Sequence, residues 1–166
     1  MGEDAETLSE LTSLKWQNTT KQLITKIMPR KDIYHDTVKH ALTKDGWTIT
    51  HDQFSFKLGK KVLFADLGAE RVISAEKKLR QIIVEVKSFI GRSQVNDLEN
   101  ALGQYILYRQ GLNEANINRE LYLAVTQPTF KNVFQIPLGG ILLKNNIIQL
   151  MVFDEAKEVI VQWLPN

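Results

Sequence analysis

Two β-rich segments, Val62 to Glu70 (VLFADLGAE) and Gln81 to Phe89 (QIIVEVKSF), constrain the fold more than any other feature of the chain. Both are dominated by apolar and β-branched residues, which fit a pleated, half-buried surface. A charged stretch centred on Lys77 and Lys78 separates them, so they are expected to pair as a long hairpin. From Ser93 to about Gln110, Val95, Leu98, Leu102, Tyr105 and Arg109 recur at three- and four-residue steps. That spacing predicts a helix, with Ser93 as candidate N-cap and Gly111 as candidate C′ residue. Glu120 to Thr126 (ELYLAVT) is then a nearly continuous apolar run closed by Pro128, as expected of a strand covered on both faces. Hairpin, helix and covered strand together imply a crossover into parallel pairing.

The flanking segments extend this plan. Ile33, Tyr34, Val38, Ala41 and Leu42 form one apolar stripe between Asp32 and about Lys44, with Gly46 placed to stop a helix. Trp47 to His51 (WTITH) alternates as a strand, and Phe54 to Lys57 (FSFK) continues the extended pattern up to a Gly-Lys-Lys turn, so antiparallel strands are expected. Phe130 to Lys144 reads as helical with a break at Pro137 and the Gly139, Gly140 pair, and Ile147 to Phe153 with Glu158 to Leu164 reads as a C-terminal hairpin. The order is α-β-β-β-α-β with additions, an α/β (α+β) fold whose mixed central sheet is flanked by helices. Residues 1–27 carry Leu8, Leu11 and Leu14 at helical spacing and then a polar run, and are read as an N-terminal extension. Met28 followed by Pro29 is an alternative start, and residues 28–166 form the domain.

Composition narrows the function classes. Hydrophobic residues are 43% and charged residues 24% of the chain, near the globular average, which argues against disorder or a fibrous repeat. With no cysteine, disulfides and thiolate metal sites are excluded, and a reducing compartment suits the chain. No apolar run approaches the roughly 20 residues of a membrane span, and the acidic N-terminus lacks a signal-peptide core. A cytoplasmic protein with no membrane partner is expected. The net charge is only +2, so any affinity for nucleic acid has to come from local patches. Lys57 to Lys61 (KLGKK) and Lys77 to Arg80 (KKLR) are the two available, and both read more simply as solvated hairpin tips.

Glu85 and Lys87 lie in the middle of an otherwise apolar strand, and residues at i and i+2 share a face about 7 Å apart. Charges in such a setting are paired, bound to metal, or on a solvent face. Asp66 interrupts the partner strand in the same way. A magnesium site takes one or two carboxylates together with water and phosphate oxygens. If the hairpin turns at Lys77 and Lys78, Glu70 lies opposite Glu85 and Asp66 opposite Phe89, which puts Asp66 and Glu70 on the face of Glu85 and Lys87. Either acid can then serve as second metal ligand, and a β-bulge would decide between them. The chemistry supported is metal-assisted phosphodiester hydrolysis with Mg2+ or Mn2+, Lys87 orienting water or neutralising charge on the phosphorane.

Asp66 followed by Glu85-Val86-Lys87 resembles the D…ExK signature of the PD-(D/E)XK nucleases, and Gln104 with Tyr108 is similar to the Q-x-x-x-Y helix of RecB-like members. Ala65 stands where the signature has its proline. The segments MPRKDIYHDTVKHALTKDGWTITHD, DLGAE, VEVKSFIG and LENALGQYILYR, with the C-terminal FDEAKEVIVQW, resemble the XisH family of fdxN element excision controlling factors from Met28 to the C-terminus. The resemblance implies a restriction-endonuclease-like fold and a part in excising a DNA element by site-specific recombination, alongside a small companion protein, XisI. It implies Asp66, Glu85 and Lys87 as catalytic residues, with Gln104 and Tyr108 steadying the site or touching DNA. It leaves open a non-cleaving DNA- or partner-binding module on the same scaffold. A homodimer is compatible with either.

His35 lies beside the apolar stripe, where nuclease relatives often carry an acid that reaches the metal through water, and here His35 is followed by Asp36. A supporting site role competes with a solvated or capping polar pair. His40 and His51 are expected at the surface, Trp47 and Trp163 in packing, and Arg92 and Arg109 at helix ends or near phosphate.

Overall fold

The computed structural model describes residues 8–19 and 30–166. The chain divides into two units, Met1–Lys31 and Asp32–Asn166. In the first, residues 8–19 form helix α1, on which Leu8, Leu11, Leu14 and Trp16 are all exposed. The alternative start at Met28 lies outside the described residues.

In the second unit the apolar stripe becomes helix α2, His35–Lys44, which buries His35, Val38, Ala41 and Leu42 and leaves Ile33, just before it, exposed. Gly46 follows at φ +85°, a left-handed conformation suited to ending a helix. The two extended stretches merge into one strand, β1 (Thr48–Leu58), which pairs antiparallel with β2 (Lys61–Val72) around the turn at Gly59. β2 pairs antiparallel with β3 (Leu79–Val86). Helix α3 (Gln94–Glu114) opens at Ser93, whose hydroxyl accepts from the Asn96 amide. β4 (Glu120–Thr126) then lies parallel to β3, as a hairpin followed by a helical crossover requires.

Gly111 does not end α3, which runs on to Glu114 and stops where Asn116 takes a positive φ. The glycine serves packing instead, because a Cβ there would meet the Phe56 ring at 3.0 Å. After β4 a short turn, Gln127–Thr129, continues into a π-helical turn, Phe130–Phe134, together α4. Pro137 opens helix α5 (Pro137–Lys144) at a position where a missing N–H costs little. β5 (Leu150–Asp154) and β6 (Val159–Leu164) close the chain as the expected hairpin, β5 parallel to β4.

The result is a six-stranded mixed sheet in sequential order β1 to β6 with helices on both faces. On one face Leu98, Ala101, Tyr105, Tyr108 and Leu112 of α3 pack on Phe54, Phe56, Ile83, Leu123 and Val152. On the other, Val38 and Leu42 of α2 pack on Trp47, Leu67, Val84, Tyr122 and Met151. β3, β4 and β5 are thus apolar on both sides, as parallel strands between helix layers are.

The hairpin register differs from the one expected. The β2–β3 loop closes through the Ile73 amide to the Lys78 carbonyl and the Lys77 amide to the Ser74 carbonyl, ahead of the Lys77–Lys78 position that charge alone suggests. Leu67 therefore faces Val84, and Glu70 faces Gln81 rather than Glu85.

Candidate active site

The site arises where β2 leaves β3. Ala65 packs in the α3-side core and Leu67 in the α2-side core, although alternate residues of a flat strand share one face. β2 therefore twists sharply at Asp66. Backbone pairing with β3 ends at Leu67 and Val84. The next inward amide of β3, Val86, is taken by the Asp66 side chain, with Oδ2 accepting at 2.7 Å. β3 itself continues beside β4, the Lys87 amide donating to the Ala124 carbonyl at 3.1 Å. The sheet forks, with Asp66 at the crotch and Glu85 and Lys87 along one prong.

Glu85 is 5% exposed, an unusual burial for a carboxylate. Gln104 Nε2 donates both to Glu85 Oε1 and, at 3.0 Å, to the Tyr108 hydroxyl. Tyr108 in turn donates to the Phe64 carbonyl at 2.7 Å. Residues one helical turn apart on α3 thereby hold one oxygen of Glu85. The other, Oε2, is buried and has no hydrogen-bond partner among the described residues. Burial, and next the charge of Asp66, hold the Glu85 carboxyl well above its usual value, while the Lys87 ammonium draws it partly back. Burial also pushes the Tyr108 phenol up, with the Gln104 hydrogen bond opposing.

Two further acids join the constellation that the sequence did not single out. Asp32 Oδ2 accepts from the Ser88 amide at 2.9 Å and Oδ1 from the Tyr34 amide at 3.0 Å, tying the start of α2 to the residue after Lys87. Its charge adds to the upward shift of Glu85. Asp52 on β1 lies 2.7 Å from His35 Nε2 through Oδ1 and 2.9 Å from Lys39 Nζ through Oδ2. His35 Nδ1 is 3.6 Å from Asp66 Oδ1. His35, 1% exposed, thus joins the site through Asp66, while Asp36 is exposed. The sequence hint for Asp32 was only its place before a helix, and for Asp52 only a polar break between two extended stretches.

Glu70 is not brought to this cluster. It shares a strand with Asp66 but pairs with Gln81, whose Nε2 donates to it at 3.2 Å. Arg109 donates to the Ile147 carbonyl at 2.6 Å, and Arg80 binds Glu120 with two hydrogen bonds, so both are committed to the fold. Arg92 is exposed. Lys57, Lys60, Lys61, Lys77 and Lys78 are exposed at the two hairpin tips. Trp47 is buried against Trp163, with Arg71 over its ring. His40 meets Glu158, and His51 meets Thr50, at the surface.

A divalent cation fits this donor set in one specific respect: the buried, unpartnered Oε2 of Glu85 is adjacent in register to a second carboxylate and needs positive charge to ionise. Among the described residues no group of three or more His, Cys, Asp or Glu is already gathered to hold a metal. Two carboxylates suffice for Mg2+ when water and phosphate complete its shell. Also among the described residues, no helix is long and apolar enough to cross a membrane.

The XisH protein family matches residues 28–161. The crystal structure of an XisH family protein from Nostoc punctiforme is 38% identical, with a TM-score of 0.70 over 80% of this chain and 98% of its own. That of an fdxN element excision controlling factor protein from Anabaena variabilis is also 38% identical, with a TM-score of 0.71 over 81% of this chain and 99% of its own. No curated protein matches the chain.

Proposed function

Since the chain belongs to the XisH family, we propose that it serves in excision of a DNA element as a metal-dependent DNA endonuclease of the PD-(D/E)XK kind. The observation that carries this reading is the fork itself, with a buried Glu85 oxygen that has no hydrogen-bond partner among the described residues beside Asp66, and Lys87 just past the end of β3. Fold alone does not make a nuclease, so the argument rests on these side chains.

Asp66 and Glu85 would hold Mg2+ or Mn2+, which supplies Lewis acidity toward phosphate and a more acidic bound water. Lys87 carries the positive charge that offsets the developing negative charge on the phosphorane oxygens as water attacks phosphorus and the 3′ or 5′ oxygen departs. Gln104, braced against the Tyr108 hydroxyl, fixes Glu85 Oε1 so that Oε2 is left for the cation. DNA is the substrate, and the companion protein XisI implied by the resemblance is the expected partner.

Supercoiled, linear and branched DNA incubated with the protein, with and without Mg2+ or Mn2+, should be nicked only by the metal-loaded protein. Lys87→Ala should lose that activity while keeping its fold. Equal nicking by both proteins would sink the assignment. A second reading, a non-cleaving DNA- or partner-binding module, is favoured by the absence of a gathered three-ligand set among the described residues. Retained DNA binding with no nicking under any metal would select it.

A further inference from the structure

A carboxylate held through one oxygen can still rotate, and Asp66 has to do two things at once. Its Oδ2 replaces a missing sheet bond by accepting from the Val86 amide, and its Oδ1 has to keep a defined direction in the fork. His35 Nδ1 lies 3.6 Å from Oδ1, an ion-pair distance longer than a hydrogen bond. The imidazole is oriented from its far side, where Nε2 donates to Asp52 Oδ1 at 2.7 Å, an assignment that follows from the carboxylate being acceptor-only. Asp52 is in turn held by Lys39 Nζ at 2.9 Å from its other oxygen. Asp52 and Leu67, the residue next to Asp66, are direct cross-strand partners, so the side chain of Asp52 faces α2 along with Leu67.

We propose that Asp52, acting through His35 and braced by Lys39, is the positioning group that sets the orientation of the Asp66 carboxylate. The side chains pass from solvent inward, 39% exposed at Lys39, 19% at Asp52 and 2% at His35, with Asp66 at 12%. The chain of contacts is therefore largely shielded, and its inner members interact with little screening by salt. It links three separate elements, α2, β1 and β2, at the one residue where β2 abandons β3. Partners behind a metal-binding side chain commonly tune it this way. The inference rests on the reading of Asp66 as a site residue, but its first test needs neither metal nor cleavage.

The Val86 amide reports the Asp66 orientation directly, because its hydrogen bond goes to Asp66 Oδ2. In the metal-free protein, hydrogen exchange at Val86 is measured by NMR for wild type, Asp52→Ala and the milder Lys39→Met, whose side chain is part-exposed and leaves the core intact. Asp52→Ala should speed exchange at Val86 by about fivefold or more relative to other β3 amides, the loss of roughly one hydrogen bond, and Lys39→Met should shift it less in the same direction. The midpoint of an Mn2+ thermal-shift titration should rise by about tenfold or more in Asp52→Ala. Unchanged Val86 exchange in Lys39→Met, or a rise spread evenly over β3 in either variant, overturns the proposal. Selective Val86 exchange in a protein that nicks no DNA would uphold the positioning role while removing the nuclease reading.

Discussion

Replacing Glu85 by Gln should stabilise the metal-free protein, and the gain should grow with pH. In the folded state burial and Asp66 raise the Glu85 carboxyl well above 4.5, so the folded protein holds this proton more tightly than the unfolded chain. A carboxyl shifted upward contributes its stability below the unfolded value and loses it as pH rises through the folded one. Above that point the wild type carries a 5% exposed carboxylate with one oxygen lacking a hydrogen bond among the described residues, whereas the amide never ionises. Leaving a buried polar group unsatisfied costs about 1–3 kcal/mol, and a chain of this size shifts roughly 2–4 °C per kcal/mol, so the difference is expected to reach about 2–12 °C. The amide keeps an oxygen for Gln104 but places an unpaired N–H where Oε2 was, which favours the lower half of that range. Thermal melts of both proteins in chelator, in steps from pH 4.5 to pH 9, measure it. A difference that stays flat across the series, or that shrinks as pH rises, refutes the account of Glu85 as a buried acid awaiting a cation.

Saturating Mn2+ or Mg2+ should raise the wild-type melting temperature, by about 2.7 kcal/mol of stability at 100 times the dissociation constant, and Glu85→Gln should lose that response. Tyr105→Phe should cost about 1–3 kcal/mol by urea denaturation, because the buried hydroxyl donates to the Leu121 carbonyl at 2.8 Å and accepts from the Gln149 amide at 3.0 Å, leaving both unpaired. Gly139→Ala should destabilise despite better helix propensity: its Cβ would meet the Val133 carbonyl oxygen at 2.5 Å, and relieving such overpacking costs about 1–3 kcal/mol.

Much of the site was legible locally. The joint reach of Gln104 and Tyr108 follows from the four-residue turn of a helix; the structure shows Gln104 bonded to both Glu85 and Tyr108. Ser93 as N-cap and the Glu120–Thr126 strand are local in the same sense. The failures were of longer range. Gly111 looked like a helix end because nothing near it in sequence announces the Phe56 ring that requires its missing Cβ. Asp32 and Asp52 carry no motif, and the contacts that give them meaning lie 56 residues away at Ser88 and 17 away at His35.

The rivalry between Asp66 and Glu70 divides the two kinds of information most cleanly. Sequence alone determined that two acids on the strand before Glu85, Asp66 and Glu70, lie four residues apart and so share a face of that strand. Which of them would come beside Glu85 depended on where the turn closed, and a slip of register moves every cross-strand partner together. The Ile73–Lys78 closure and the twist at Asp66 settled it, carrying Glu70 to Gln81 and leaving Asp66 to bond the Val86 amide beside Glu85. A strand's periodicity is a property of its own backbone, whereas its register and the point at which it leaves its neighbour are properties of everything packed against it.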